Sequence, residues 1–254
     1  MRKKIILSFT ICVISIFGLQ LLGQKNDLQK QNLKGKIHSI HEVHFNVSEN
    51  TGQFTKGVVD DSFTNLFDEK GNKIEDTRCK ANGSIDKTYK YETDGLGFRI
   101  AQRQYSSDNT LIRRIKYYYD KNGLLTEDIS FSEAGVQEKK YTYEYDAGGS
   151  LIADNSYTPD GQLIKRYTYS YNSSGNIETN KKFDKSGNLE KIIHFQNNEN
   201  GDVVEENEYS ASETLISTIR YQYEYDGHGN WIKKTILKDS SPIIFVEKEI
   251  EYQK

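Results

Sequence analysis

The recurring feature of this chain is an alternation of aromatic and polar residues that stops at a short turn and then resumes. Tyr167 to Tyr171 reads Tyr-Thr-Tyr-Ser-Tyr. Successive side chains of a strand point to opposite faces, so the three rings share one face. The next residues, Asn172 to Gly175, suit a three-residue hairpin loop whose glycine is left-handed. The pattern predicts a strand, a tight turn and a second strand.

This hairpin unit repeats along most of the chain. The turn glycines and their substitutes are separated alternately by 12 and 14 residues, so one unit has 26 residues, a period typical of repeat proteins. They are Gly71, Gly83, Gly97, Asn109, Gly123, Gly135, Gly149, Gly161, Gly175, Gly187 and Gly201. Asparagine tolerates a left-handed conformation, whereas Glu213 and Ser241, which continue the series, predict turns of a different geometry.

The repeat predicts an all-β fold. We expect an antiparallel meander of about 16 strands built from 26-residue β-hairpins and no helix. Long and short strands alternate, so each hairpin is staggered against the previous one, and a staggered, twisted meander curls. The expected shape is a curled or coiled single sheet, which is a half-pipe, a shell or barrel-like. The pattern leaves open whether the sheet closes.

The side-chain pattern also predicts which residues share a face. Positions at even offsets from each turn glycine are mostly apolar, as at Leu125, Phe131 and Tyr145. Odd positions are mostly polar, as at Glu144 and Lys182. We therefore expect the even positions to form the inner face and the odd positions to face solvent.

The chain divides into three segments. Residues 1–23 combine a basic start with a mostly apolar run, which is typical of a signal peptide cleaved near Gly23. Residues 24–34 are polar and predict a flexible lead-in, and residues 35–254 form one repeat domain that is clearest over 63–237. We therefore expect an exported protein, which is periplasmic, cell-surface or secreted. An uncleaved anchor is the alternative.

Charge and cysteine content narrow the classes of partner. The formal net charge is −3, and the predicted cleavage removes three basic residues and makes the charge more negative. A mildly acidic chain argues against nucleic acid as the partner, because phosphate binding needs a concentrated basic surface. Only Cys79 remains after cleavage, so no intrachain disulfide is expected.

Two candidate metal patterns have simpler interpretations. The His38, His41 and His44 run would place two imidazoles on one face of a strand and one on the other, so we expect surface residues and no metal site. The acidic or amide residues that start the turns could resemble calcium ligands, but alternate turns lie about 10 Å apart, so we expect turn capping. These residues are Asp68, Asp120, Asp146, Asn172, Asp184 and Asp226.

The sequence contains no recognised catalytic motif. No serine lies in a Gly-x-Ser-x-Gly elbow, and no glycine-rich phosphate loop opens a helix. We therefore predict a protein that is not an enzyme, with no catalytic residue, no cofactor and no metal.

The tyrosine ladder allows two interpretations. The rings form a buried core, since each buries a large apolar area, or they line an exposed groove that binds sugars or extended peptides. The candidate ligand-face aromatic residues are Tyr117, Tyr119, Tyr143, Tyr145, Tyr169, Tyr171, Tyr223 and Tyr225.

Two segments carry a resemblance to a known family. Tyr223 to Asn230 reads Tyr-Glu-Tyr-Asp-Gly-His-Gly-Asn, and Tyr143 to Gly149 reads Tyr-Glu-Tyr-Asp-Ala-Gly-Gly. The chain resembles the YD-repeat, or Rhs-repeat, family over residues 63–237. The resemblance implies hairpins that build a curling sheet, and carbohydrate or cell-surface binding in exported members. The unit of this chain is longer than the usual YD unit, and we expect a small exported member without the toxin-like extension of the large ones.

These observations predict an exported, non-enzymatic repeat protein. Its expected partner is a cell-envelope or extracellular polymer, either a glycan or a protein, or it has a structural role. The alternative is an outer-membrane-type β-barrel, against which residues such as Arg103 and Glu127 interrupt the apolar rows. After cleavage we expect no integral membrane protein. The terminal strands at 36–47 and 243–252 predict edge-to-edge self-association.

Overall fold

The structure, a computed structural model, describes residues 25–253. The predicted signal segment lies outside the described residues. One short helix, α1 (Asp27–Lys30), precedes sixteen strands. The strands are β1 (Ile37–Asn50), β2 (Gln53–Phe67), β3 (Lys73–Lys80), β4 (Ile85–Thr93), β5 (Arg99–Ser106), β6 (Leu111–Tyr119), β7 (Leu125–Ser132), β8 (Gln137–Tyr145), β9 (Leu151–Tyr157), β10 (Leu163–Tyr171), β11 (Ile177–Asp184), β12 (Leu189–Asn197), β13 (Val203–Ser210), β14 (Leu215–Tyr225), β15 (Trp231–Lys238) and β16 (Ser241–Tyr252).

The strands form one closed antiparallel barrel. Each strand pairs with its neighbours in sequence, and β1 pairs with β16 from Ile37 opposite Tyr252 to Asn46 opposite Ile244. The predicted all-β meander of about 16 strands is therefore confirmed, and the sheet closes. Closure removes the free sheet edges. The predicted self-association through the two terminal strands needs correction, because these strands are each other's partners over those residues.

The hairpin turns follow one hydrogen-bond pattern. In the turn between β6 and β7, the Asp120 amide donates to the Leu124 carbonyl oxygen at 2.9 Å and the Gly123 amide donates to Asp120 at 3.0 Å. The Asp120 carboxylate also accepts from the Asn122 and Leu124 amides, each at 2.9 Å. The predicted turn capping is thus confirmed, and the side chains that accept two backbone amides in the same way belong to Asp68, Asp94, Asp146, Asn172, Asp184, Asn198 and Asp226.

Two turns test the expectation of a different geometry. Glu213 has a φ of 59° and makes the same backbone hydrogen bonds as the glycines, so that prediction is wrong for this turn. The last hairpin does differ. Asp239 and Ser240 both have positive φ, which is typical of a two-residue type I′ turn, and Ser241 already begins β16.

A bulge beside each of these looped turns changes which residues share a face. Tyr119 lies opposite Leu125, but Tyr118 lies opposite Glu127, so the register shifts by one residue. Because a one-residue shift exchanges the faces of a strand, Leu125 shares its face with Asp128 and not with Phe131. The prediction that all even offsets share one face is therefore wrong.

The resulting barrel has a tyrosine-rich inner wall and a charged outer wall. On the inner wall Tyr221 and Glu206 are buried, with exposed fractions of 9% and 8%. On the outer wall, ion pairs join adjacent strands or strands two apart, and their side chains are 19–65% exposed. Examples are Arg166 with Glu144, Lys140 with Glu127, Arg220 with Glu205 and Lys233 with Glu224.

The two ends of the barrel differ. We call rim A the end formed by the turns β2–β3, β4–β5, β6–β7, β8–β9, β10–β11, β12–β13 and β14–β15, and rim B the opposite end. Residues 25–36 enter at rim A and cross it. Asp27 accepts from the Arg99 guanidinium of β5 at 2.8 Å, and Asn32 donates to the Asn200 carbonyl oxygen in the β12–β13 turn at 2.7 Å. These contacts lie on opposite sides of the barrel.

The crossing segment is held by packing as well as by polar contacts. Leu28 of α1 is 5% exposed and packs with Ile37, Ile40 and Phe67. Asn26 caps the helix through a capping box. The segment predicted as a flexible lead-in thus contains a capped helical turn and one buried leucine, and its flexibility stays a prediction.

Candidate functional site

The inner wall is built from columns that repeat every 26 residues on β4, β6, β8, β10 and β12, and again on β14. Each column has four side chains, which alternate with outer residues along the strand. From rim B to rim A the columns are Lys87, Tyr89, Tyr91 and Thr93; Arg113, Ile115, Tyr117 and Tyr119; Lys139, Tyr141, Tyr143 and Tyr145; Lys165, Tyr167, Tyr169 and Tyr171; Lys191, Ile193, Phe195 and Asn197; and Ser217, Ile219, Tyr221 and Tyr223. We call the four levels layers one to four.

In layer three, each tyrosine hydroxyl donates to a polar side chain of the preceding short strand. Tyr91 donates to Asp76 at 2.6 Å and Tyr221 donates to Glu206 at 2.8 Å. The other pairs are Tyr117 with Gln102, Tyr143 with Asp128 and Tyr169 with Asp154. Donor and acceptor are 15 residues apart in all of these pairs.

In layer four, four of the six side chains donate to backbone oxygens near rim A. Tyr119 donates to the Arg99 carbonyl oxygen at 2.9 Å, and Tyr223 donates to that of Val203 at 2.7 Å. Tyr171 with Leu151 and Asn197 with Ile177 repeat the contact. Strand backbone at rim A thus fixes the position of these rings.

All eight candidate aromatic residues lie on the inner wall, and all are half-buried. Tyr225, at the rim A end of β14, donates to Asp202 at 2.9 Å and accepts from Asn198 at 2.7 Å. The structure therefore brings the candidates together as one wall, with hydroxyls engaged and ring surface still partly accessible. The rings are not a fully buried core, and their role as a ligand-binding groove stays a prediction.

Burial perturbs the carboxyls of layer three. It raises the pKa of Asp128 to about 6, although the hydrogen bond from Tyr143 acts in the opposite direction. Burial also raises the pKa of Asp154 and of Glu206 above their ordinary values. The carboxyls are therefore protonated more readily than exposed ones.

Layer one is basic. Arg113 pairs with Glu138 at 2.6 Å, and Lys191 pairs with Glu208 at 3.1 Å. Lys165 lies 5.0 Å from the centre of the Tyr167 ring and donates to its hydroxyl at 3.3 Å. Positive charge thus lies near rim B, and tyrosines and carboxyls lie deeper.

A second polar cluster joins β1, β15 and β16 across the closure of the barrel. Glu42 accepts from His44 at 2.8 Å and lies 3.7 Å from Lys248, whose side chain is 7% exposed. The ammonium groups of Lys248 and Lys234 lie 3.2 and 4.4 Å from the Trp231 ring centre. The indole is therefore half-buried beneath two cations.

Mutual contacts perturb this cluster strongly. Burial favours the neutral form of Glu42, but the hydrogen bond from His44 and the charge of Lys248 lower its pKa to about 2. Burial likewise opposes the charge of His44, but hydrogen bonds to Asp61 and Glu42 raise its pKa to about 9. Burial lowers the pKa of Lys248 to about 8.

Sequence reasoning missed this cluster. The surface assignment of the histidine run is wrong for His44, which packs against Phe63 with ring centres 5.1 Å apart. The alternation of side chains along a strand could have indicated it. Glu42 and His44 on β1, like Val246 and Lys248 on β16, are spaced by two residues and therefore share a face. Over residues 25–253, no group of three or more histidine, cysteine, aspartate or glutamate residues is arranged to hold a metal ion. Within that range, no helix has the length and apolar character needed to span a bilayer.

Nitration of the folded protein tests the assignment of the walls. Tyr118 is 44% exposed on the outer wall, between Tyr117 and Tyr119 on the inner wall. We expect Tyr118 to be nitrated first, because its two neighbours are half-buried and hydrogen-bonded. Peptide mass spectrometry measures the order. Equal rates for all three would contradict the two-wall arrangement.

Among the comparisons with known proteins, one solved structure supports the fold. No family model matches the chain, and no curated protein matches it. A porin-like protein from Bacteroides uniformis is similar in structure, with 14% identity, a TM-score of 0.59, and coverage of 86% of this chain and 99% of that chain. A porin-like protein from Bacteroides vulgatus has 9% identity, a TM-score of 0.49, and coverage of 86% and 99%. A Photorhabdus luminescens Tc holotoxin pore has 11% identity, a TM-score of 0.23, and coverage of 76% and 14%.

Proposed function

We propose that this protein is an exported, non-enzymatic binding barrel whose inner wall holds an extended envelope or extracellular polymer, a glycan in the first instance. The observation that carries the proposal is the repeated tyrosine column. Its hydroxyls are engaged by the wall, so the rings are held in place before any ligand arrives, and pre-organised rings lose little entropy on binding. The proposal includes that the chain is a YD-repeat-like protein, because its sequence resembles those repeats.

The spacing of the columns suits a polymer. Columns lie on alternate strands, so neighbouring columns are separated by two strand spacings, about 10 Å. A ligand with a regular repeat presents the same group to successive columns. Tyrosine offers a ring face for stacking on sugars, with a polar edge for hydroxyl groups.

Access to the lumen is asymmetric. Residues 25–36 cross rim A, and the Lys34 amide and carbonyl oxygen pair with the Asn230 side chain at 2.8 Å each. Rim B is bordered by the other hairpin turns. A ligand therefore enters from rim B, where the basic layer lies. Because residues 25–36 cross rim A, the barrel is better suited to holding a ligand than to letting it pass through.

The second candidate is a barrel inserted in a membrane. Sixteen strands, short turns and the porin-like protein from Bacteroides uniformis favour it. The ion pairs of the outer wall oppose it, whereas apolar side chains that are 37–44% exposed, at Ile112, Tyr118 and Ile164, do not. Arg166, Arg103 and Lys140 lie within outer ion-pair rows, and an Arg or Lys facing lipid at mid-depth costs about 2–4 kcal/mol. Strands β3 to β13 have 7 to 9 residues, at or below the usual length for crossing.

Fractionation separates these two candidates. We expect the chain, expressed from its full-length gene, to be recovered in detergent-free buffer after carbonate washing of the envelope fraction, because its outer wall is charged. Immunoblotting of the fractions, with a known integral barrel protein of the same host as control, measures this. Recovery only after detergent extraction would favour the membrane candidate.

Trp231 provides a direct test of binding. It is the only tryptophan in the chain, and it lies on the inner wall, 6.1 Å from the Tyr223 ring. Titration with fractionated envelope polysaccharides should change its emission saturably. The substitution Tyr119→Leu should weaken binding and Tyr118→Leu should not, because these residues face opposite walls. Equal effects of the two substitutions, or no response to any fraction, would overturn the proposal.

A further inference from the structure

The basic layer near rim B is periodic, and its charge is only partly neutralised. It has one cation per hairpin on five successive long strands, at Lys87, Arg113, Lys139, Lys165 and Lys191. Two further cations lie directly opposite members of this layer, Arg78 opposite Lys87 and Lys182 opposite Lys191. The layer therefore follows more than half of the barrel wall, from β3 to β12.

In the part of the chain that the structure describes, carboxylates lie within ion-pair distance of four of these seven cations, among them Arg113, which pairs with Glu138 of the central strand β8. Lys182 pairs with Glu190 and Lys191 with Glu208, while Lys87 lies 3.9 Å from Asp86. Within residues 25–253, no carboxylate lies within salt-bridge distance of Lys139 or Lys165. Lys139 and Lys165 on β8 and β10 therefore lack a direct ion pair with any described residue, although the charge of Lys165 acts on Asp154 of layer three.

A buried hydroxyl group lies beside the central part of the basic layer. Ser156 of β9 is 1% exposed and lies opposite both Lys165 and Tyr141. Its hydroxyl has no hydrogen-bond partner among the described residues. A buried polar group without a partner is costly, and an oxygen-rich ligand beside Lys165 would supply the missing acceptor or donor.

The field in this part of the lumen favours an anion. A concave wall with one sign of charge focuses the electrostatic potential and raises the local concentration of ions of opposite sign. The carboxyls of layer three lie deeper in the barrel than Tyr141 and Tyr167, which belong to layer two and are nearer to rim B. An anionic ligand thus meets the cations first and the tyrosine rings next.

We propose that the ligand is an acidic polysaccharide, whose carboxylates pair with Lys139 and Lys165 and whose sugar rings stack on the tyrosines beneath them. This rests on the proposed function and names its ligand class. Lysine suits single carboxylates because its ammonium is a compact charge with three donors. Alternate strands present one cation each, which matches a polymer that carries one acid group per repeating unit.

The test uses a defined probe and its neutral counterpart. The probe is a hexamer of galacturonic acid, and the counterpart is its full methyl ester, which keeps every ring and removes every charge. Trp231 emission and calorimetry report binding to the full-length, processed protein. We expect the acid to bind at least about tenfold more tightly than the ester, because charge-assisted hydrogen bonds are stronger than neutral ones. Equal affinities would overturn the inference.

A pair of matched double variants locates the site. Lys139→Gln with Lys165→Gln removes two inner-wall charges. Lys140→Gln with Lys181→Gln removes two outer-wall charges from β8 and β11. We expect the inner pair to weaken binding of the acid by about tenfold or more, and the outer pair to leave it within about twofold. Equal weakening by both pairs would indicate unspecific attraction and would overturn the inference. Circular dichroism verifies that each variant is folded.

Two further outcomes separate this inference from the proposed function. If neutral envelope glycans change Trp231 emission and the inner double variant binds them like wild type, the barrel binds glycans and the acidic ligand class is wrong. If a single-stranded oligonucleotide of equal charge binds as tightly as the hexamer with the same dependence on Lys139 and Lys165, the ligand is a polyanion of another class and the inference is overturned.

Discussion

Glu42→Gln is expected to lower the free energy of unfolding by about 3 kcal/mol at neutral pH, since removing one partner of a buried ion pair leaves the other charge uncompensated. Glu42 accepts from His44 and lies beside the buried Lys248. A neutral amide keeps the shape of the side chain but leaves the buried Lys248 ammonium against the Trp231 ring without its carboxylate partner. Urea denaturation followed by Trp231 fluorescence measures the loss.

The control for this variant lies on the outer wall of a strand in the same cluster. Glu247 of β16 pairs with Lys56 at 2.7 Å, with side chains 38% and 44% exposed. Exposed pairs are worth about 0–1 kcal/mol, so Glu247→Gln should cost far less. Adding Lys248→Met to Glu42→Gln should restore part of the stability, because it removes the stranded charge. A similar cost for both single variants, without recovery in the double variant, would contradict the argument.

The same cluster gives a spectroscopic prediction. The carboxylates of Glu42 and Asp61 hold the pKa of His44 at about 9 in the wild type. In Glu42→Gln one of the two acceptors is neutral, so the pKa of His44 should fall towards its ordinary value. Titration of the imidazole resonances by NMR measures it, and an unchanged pKa would show that Asp61 alone accounts for the shift.

Asp128→Asn is expected to act in the opposite direction and to stabilise the protein at neutral pH by about 2 kcal/mol. Burial raises the pKa of Asp128 to about 6, so the folded state resists the charged form, and each pKa unit corresponds to about 1.4 kcal/mol. An asparagine oxygen still accepts from Tyr143. The chain already places amides at this layer, with Gln102 and Asn180 at the equivalent positions of β5 and β11.

The sign of the pH dependence follows from linkage. Between the ordinary value, 3.8, and about 6, folded Asp128 binds more protons than the unfolded chain. Its contribution therefore favours the folded state at low pH and is lost as pH rises through about 6. In Asp128→Asn this contribution disappears. The free energies of unfolding of the wild type and the variant should therefore diverge as pH rises from about 4 to 7.

The control for Asp128→Asn is Asp146→Asn in the β8–β9 turn. Asn172 and Asn198 make the same two backbone contacts that Asp146 makes. This variant removes the same charge from an exposed position, and its stability should stay within about 0.5 kcal/mol of wild type. Greater stability in both variants would point to net charge and not to burial of Asp128.

Periodicity predicted the hairpins well because turns are local. The three-residue loop needs an acceptor such as Asp120 and a left-handed residue such as Gly123, and both requirements are visible in a few consecutive residues. Glu213 shows the limit. Its position in the repeat predicts the turn better than its residue type, because the surrounding strand pairs impose the backbone conformation.

The sequence predicted which aromatic rings belong to the candidate site but not the polar residues that complete its surface. The eight tyrosines were identifiable because their spacing is regular. Their hydroxyl partners were not, because Asp128 lies on a short strand after a bulge, at an odd offset that the simple alternation assigns to solvent. A one-residue shift in register is decided by pairing across strands, and sequence periodicity within one strand does not contain it.

The sequence by itself determined the hairpin unit, its 26-residue period, the all-β class and the strand number, since these depend on side-chain alternation and turn chemistry along neighbouring residues. Only the tertiary structure decided closure of the barrel, the crossing of rim A by residues 25–36, and the cluster of Glu42 with Lys248. Those features join residues about 170 to 210 positions apart, and contacts at such separation depend on the accumulated twist and stagger of every strand between them.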